Sequence, residues 1–428
     1  MRLTSLAAGL CWVTVCLSGA AHAAAPTYDL PALLDFAAAQ SPELRAARAR
    51  WEVRRATAHV AERWPEPSVS GGVFLRPVHT RVGPQRARLD VAVPLPWPGK
   101  IAARTEAMAA MRDVAEREID ARLAALRARL RAPWARRRAL LQIATLHDAQ
   151  RGLLLQLERT VLARLEVGRA SYADAQRLRL WIAQLASDAE SARDEARALE
   201  DTLRAVAGLP AGATLADAEP AGPADAALPG PIPTLHALRD TLASEPGVRV
   251  AEARIAAADA GRRVAALRGR PDFGVGLSWI AVGEAVMPGV ADSGDDALML
   301  TARVTVPVWR ESYDHEARAA DAEVRAAAAE RDAAMRRAEA RATQWLFELR
   351  DAERRRRLLD EELLPRARAA LGTVTAAYGA GKADFQSVVE LQRQLLGYGV
   401  ERARAGLRAA VAIAELEALL AAPLWGTR

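Results

Sequence analysis

Histidine, cysteine and acidic side chains are the groups here that could hold a metal or move a proton. Beyond residue 23 the histidines are His59, His79, His147, His236 and His315. None stands four residues from another, the spacing that puts two imidazoles on one helical face. The sequence therefore offers no tight zinc or copper site. Asp314-His315-Glu316 reads as a surface charge run. Arg354 to Arg357 is strongly basic, but Asp351, Glu353, Asp360 and Glu361 flank it, which is the pattern of an exposed helical face. No phosphate-cradling glycine loop and no nucleophile elbow occurs. The residues point to neither an enzyme nor a cofactor, so function is sought in the elements themselves.

One stretch organises those elements. Val91-Ala92-Val93-Pro94-Leu95-Pro96-Trp97-Pro98-Gly99-Lys100 is echoed by Val304-Thr305-Val306-Pro307-Val308-Trp309-Arg310. In each, an alternating strand-like run meets a proline, and a very long charged helical pattern follows. Proline cannot donate to a ladder and stops a strand, yet it is tolerated in the first turn of a helix.

The first 23 residues differ from the rest. Arg2 is the only charge, Leu6 to Leu17 is an apolar run of signal length, and Ala21-His22-Ala23 fits a small-x-small cleavage site. This reads as a cleaved export signal. Both cysteines, Cys11 and Cys16, lie within it, and neither follows a small residue, so a lipidated cysteine is not expected. The exported chain would use no disulfides. No later stretch has the ~18 consecutive apolar residues of a membrane-spanning helix. Of 428 residues, 59 are basic and 53 acidic, a balance too even for a nucleic-acid partner.

The remaining order is helix, strand, strand, long helix, turn, helix, and it occurs twice. Pro42 and Pro67 recur as Pro246 and Pro271 at an offset of 204; Pro94, Gly168 and Pro210 recur as Pro307, Gly381 and Pro423 at 213. The nine additional residues fall between the strands of the second copy, around Gly283 to Asp296. The predicted organisation is a signal at 1–23, a first repeat at 24–210 and an Ala/Pro/Gly-rich linker at 211–235. A second repeat follows at 236–428. Strands are predicted at about 67–76 and 87–95, and at about 271–280 and 298–308, with a bulge at Gly71-Gly72. The first hairpin is predicted to turn through Gly83-Pro84. Ser41 is the predicted N-cap of a helix restart at Pro42. The second long helix is predicted to run unbroken from Arg310 to Tyr378, and the first to bend at Pro133.

The strands alternate apolar and polar residues. Phe273, Val275, Leu277 and Trp279 face one way; Gly274, Gly276 and Ser278 face the other. Each is ~9–11 residues long, the span of a transmembrane strand. Phe74, Trp97, Trp279 and Trp309 lie near strand ends, where interfacial aromatic belts would sit. A small soluble sheet packed on helices is the plainer reading, but the helices carry their own apolar stripes. Four strands cannot close a barrel, and an open edge in lipid is costly. Copies must then pool strands, two giving eight and three giving twelve.

The pattern resembles the TolC-like outer membrane factors of bacterial efflux and secretion systems. The resemblance rests on the twofold repeat, on "PLPWPGK" at the strand-to-helix junction, and on "VGRASYAD" and "AGKADFQS" between paired helices. The junction is most similar to the cation-efflux branch that works with RND pumps. The resemblance implies a mainly α fold with a small β part, assembled as a homotrimer. A 12-stranded β-barrel in outer-membrane lipid would continue into a periplasmic α-helical barrel. It implies a passive exit duct in a tripartite system, carrying small substrates such as heavy-metal cations from an inner-membrane pump and a periplasmic adaptor. The adaptor would dock on Val167, Gly168, Arg169, Ala380, Gly381 and Lys382. Asp174, Asp384 and Glu390 are the acidic residues that would ring a periplasmic gate. A type I protein-secretion duct and a non-conducting periplasmic coiled-coil scaffold are the alternatives.

Overall fold

A computed structural model describes residues 26–168, 170–210, 212–216 and 228–425. The signal reading, Arg169 and much of the linker lie outside the described residues. In chain order the elements are β1 (Thr27–Tyr28), α1 (Leu30–Gln40), α2 (Pro42–Ala61), β2 (Ser68–Thr80), β3 (Gly83–Leu95), α3 (Lys100–Glu166) and α4 (Tyr172–Ala207). Then come β4 (Thr214–Leu215), α5 (Leu235–Leu242), α6 (Pro246–Arg268), β5 (Asp272–Val282), β6 (Ala297–Thr305) and α7 (Arg310–Arg357). A π-helical stretch, Leu358–Leu363, leads into α8 (Leu364–Gly379) and α9 (Phe385–Leu420).

The main sheet is antiparallel in the order β2-β3-β5-β6. Residues directly opposite across a ladder share a face. Val69, Val91, Leu277 and Leu300 are thereby aligned on one face, and Ser70, Asp90, Ser278 and Met299 on the other. On the polar face Asp90 accepts from Arg88 Nε at 2.8 Å and from the Ser278 hydroxyl. Among the described residues no helix packs over the sheet, and the apolar side chains of its outer face stand exposed. The first hairpin is tighter than predicted: Gly83 and Pro84 belong to β3, leaving a turn at Arg81-Val82. Gly71 and Gly72 pair regularly with Leu89 and Arg88; the irregularity in β2 lies between Val73 and Val78, where Pro77 has no N–H to give a ladder.

The junction between β3 and α3 is tied to the start of β5. Asp272 Oδ1 accepts from the Trp97 N–H at 2.9 Å and from Lys100 Nζ at 2.9 Å, and Lys100 also donates to Arg270 O at 2.7 Å. The Trp97 and Phe273 rings stack at 5.9 Å. Gly99, at φ 91°, lets the chain swing from strand into helix without a Cβ penalty.

Helix α3 has 67 residues, so it is ~100 Å long. Pro133 lies inside it without ending it. The second long helix is not continuous. Pro365 has no N–H, and its ring would crowd the carbonyl four residues back. The wider π turn before it absorbs this, with Leu364 N bonding Leu359 O. Near the sheet, α3 packs on α2 and α6, and α7 packs on α6; toward the far end come contacts among α3, α4, α8 and α9. Two apolar clusters fill the middle. One joins Leu33, Leu44, Leu126, Leu130 and Leu203. The other joins Leu242, Val248, Leu346, Leu349 and Leu416. Ser41 is buried there and its side chain makes no capping bond, although Pro42 does open α2 as predicted.

Candidate functional site at the helical tips

The two helix pairs α3/α4 and α8/α9 end side by side in equivalent turns. Gly168 and Gly381 both hold positive φ, 68° and 74°, a conformation that ends a helix at little cost only for glycine. Gly168 N donates to Leu165 O at 3.0 Å, and Gly381 N to Tyr378 O at 3.1 Å. Lys382 N continues the second turn to Ala377 O at 2.8 Å. The next helices start on side-chain caps. Ser171 accepts from Asp174 N, and Asp384 Oδ1 accepts from Ser387 N at 2.8 Å. Beneath the turns Leu154, Val161, Leu178, Trp181, Leu185, Tyr378, Phe385 and Val388 form one apolar core spanning both pairs.

Val167, Gly168, Ala380, Gly381 and Lys382 are all exposed at this end, so the structure brings these predicted docking residues together on one surface. The three acidic candidates differ. Asp384 is the α9 cap, and bonds from the Ser387 side chain and backbone hold its carboxyl below the usual range. Asp174 lies in the first turn of α4, 3.5 Å from Arg177, where a negative charge suits the helix N-terminus. Glu390 is exposed and makes no ion pair among the described residues. It is the one of the three whose charge the fold leaves uncommitted.

The sequence reasoning missed Arg164. Its guanidinium donates to Tyr378 O at 3.0 Å and to Gly379 O at 3.1 Å, and lies 4.3 Å from the Tyr378 ring centre. It thereby supplies a donor to the Gly379 carbonyl and a further one to the Tyr378 carbonyl, which already accepts from Gly381 N. Buried Gln150 donates to Gln392 at 2.7 Å, and Arg393 stacks on Trp181 at 5.0 Å. These contacts bind the two helix pairs into one unit. At the other end of α7 the Asp314-His315-Glu316 run is dispersed: His315 lies 3.9 Å from Glu311, and Glu316 pairs with Arg268 at 3.1 Å.

No protein-family model and no curated protein matches the sequence. Solved structures do. The transmembrane channel protein CusC is 14% identical, with 93% of each chain covered and a TM-score of 0.75. The chain has the TolC-like outer-membrane-factor fold. The outer-membrane channel OprN is 20% identical over 92% of this chain and 90% of its own, with a TM-score of 0.74. The open state of the Neisseria gonorrhoeae MtrE outer membrane channel is 17% identical, covers 92% of this chain and 89% of its own, and scores 0.72. All three are channels rather than enzymes. The outer-membrane-factor fold accounts for the element order seen here, a small sheet at one end of long paired helices.

Proposed function

We propose that this protein is the outer-membrane exit duct of a tripartite efflux system. Three copies would pool their strands into a 12-stranded barrel, and their helices would continue it as a periplasmic tube. The observation that carries this reading is the sheet. Among the described residues it has two unpaired edges, one apolar and one polar face, no helix over either, and a mount at one end of ~100 Å helices. A sheet of that kind is costly in water and is satisfied by lipid outside and a wet lumen inside. The fold likeness to outer-membrane channels supports the same reading. Conduction would be passive. Cargo would be small solutes, heavy-metal cations among them, delivered by an RND-type pump through an adaptor that docks on the exposed tip around Val167, Gly168, Gly381 and Lys382.

Single-channel conductance of the purified protein in a planar bilayer, with its mass measured in detergent, tests the proposal. A conducting trimer is the expected result. A soluble chain that never conducts would leave a periplasmic scaffold as the better account.

A further inference from the structure

We infer that neighbouring copies join β6 to the partner's β2 in one defined register from Ser68 to Val73, in which β6 residue i faces the partner's β2 residue 377 − i. This rests on the proposed pooling of strands and adds to it the pairing that closes the barrel. The register follows from the internal repeat. Ser68 faces Ala92 in the first hairpin, and Asp272 faces Thr305 in the second. Those residues are 204 and 213 positions apart, the offsets that relate the repeats in the sequence. From Ser68 to Val73 the two hairpins are therefore superposable in register, and not merely in order; beyond Val73 the first departs from the second.

Between the hairpins, within one chain, β3 pairs with β5: Val93 faces Val275, Val91 faces Leu277 and Leu89 faces Trp279. The sheet order leaves β6 and β2 as its edges. A closed ring of equivalent hairpins has only one kind of seam left to make, and it repeats β3·β5 with the offsets applied. Val308 then faces the partner's Val69, Val306 the partner's Gly71, and Val304 the partner's Val73. On the other face Thr305 meets the partner's Gly72.

Two independent observations agree with this register. Every pair on the outer face joins residues that lie on the apolar face of their own sheets, so no charge is turned toward lipid. The edge leucines are also the ones left uncovered: Leu75 is 99% and Leu300 81% exposed, against 43% for Leu89 and 51% for Leu277 in the central strands. The register also lengthens β6. Its ladder stops at Thr305 in the single chain, whereas β3 runs to Leu95, whose counterpart is Val308. Val306 and Val308 would become strand residues once the partner's β2 is in place.

The new seam is not a copy of the internal one in chemistry. The counterparts of Lys100 and Asp272 are Tyr313 and the partner's Ser68, so the ion pair that clamps β3 to β5 has no equivalent between chains.

Cysteine pairs in the full-length protein, in isolated outer membranes, test the register. The parental chain, with Cys11 and Cys16 only, is the blank. Facing residues have Cβ atoms about 5 Å apart, within adjustment of disulfide geometry, whereas a two-residue shift puts them about 7–8 Å apart. Val73→Cys with Val304→Cys, and Gly72→Cys with Thr305→Cys, sample both faces. The expected result is that at least one of them oxidises to a reducible trimer band. The shifted pairs Val73→Cys with Ala302→Cys and Ser70→Cys with Thr305→Cys should link several-fold less. Better linking by the shifted pairs overturns the register alone. No linking by any pair in chains that sediment as an oligomer also overturns it. No linking in chains that are monomeric overturns the proposed barrel itself.

Discussion

Arg164 and Asp384 give the tip its local order by unlike means. Arg164 spans the two helix pairs and has no counterpart in the second repeat, where Ala377 stands at the equivalent position. Replacing it with alanine removes two hydrogen bonds from a charged donor and a ring contact, so amides of the last turn of α8 should exchange roughly tenfold faster with deuterium. An unchanged rate at Tyr378 to Gly381 would contradict the role. Asp384 acts within one chain segment. Because its folded carboxyl titrates below the ordinary value, its contribution is present above about pH 4 and is lost as pH falls through the lower folded value. Asp384→Ala should loosen the start of α9 at neutral pH, while Asp384→Asn, an equally good cap, should not, and should also remove the acid sensitivity. Backbone NMR across pH 3 to 7 reads both. The cap was legible, since Asp384 and Ser171 occupy equivalent places before helices. Its predicted place at a gate did not anticipate that role. Arg164 was not legible, because its acceptors are backbone carbonyls 214 and 215 residues away.

At the scale of the element, the break in the second long helix matters most. Arg354 to Arg357 read as a solvated face, and three of the four side chains are so placed, but Arg356 turns inward. It bonds Glu353 at 2.9 Å and Asp360 at 3.0 Å, and Asp360 in turn accepts from Arg402 of α9 at 2.6 Å. The π turn shifts the helix face at this point, and the charged set straddles it. Hydrogen bonds from Arg356, opposed by burial and reinforced by Arg357, keep the Glu353 carboxyl below its usual range. That network should therefore hold above about pH 4.5 and weaken as pH falls below it. Glu353→Ala leaves Arg356 paired with Asp360 alone and should cost about 1–2 kcal/mol in denaturant unfolding. The double variant Glu353→Ala with Arg356→Ala should recover part of that loss. No recovery would mean the pair does not act as a unit. The helix period gave no sign of the π turn, because Pro365 sits where a straight helix could also have simply stopped.

For the whole molecule, most of the architecture was legible because it is written twice. Aligned prolines at two constant offsets marked the strand ends, and the hairpins share those offsets from Ser68 to Val73. What escaped was contact between the repeats, such as the Lys100–Asp272 clamp, which periodicity within one segment cannot reveal. The proposed duct depends on assembly, and Glu390 is the acidic candidate free to act there. In the assembled duct Glu390→Gln should reduce the preference for cations over anions, read as a reversal-potential shift under a salt gradient, without changing oligomer mass. An unshifted potential would place Glu390 away from the conducting path.

The length of α3 has a mechanical consequence. A rod of ~100 Å pivoting at its middle is a lever with arms of ~50 Å, so a tilt of only ~5° sweeps its end through about 4 Å. The middle is where the packing clusters of α1, α5 and α6 grip the long helices, and the end is where Arg164 holds two carbonyls at 3.0 and 3.1 Å. A displacement of that size exceeds the reach of both bonds. A small rearrangement of leucines and alanines at the fulcrum, invisible as a change of fold, would thus be enough to part the Arg164 bonds at the far end.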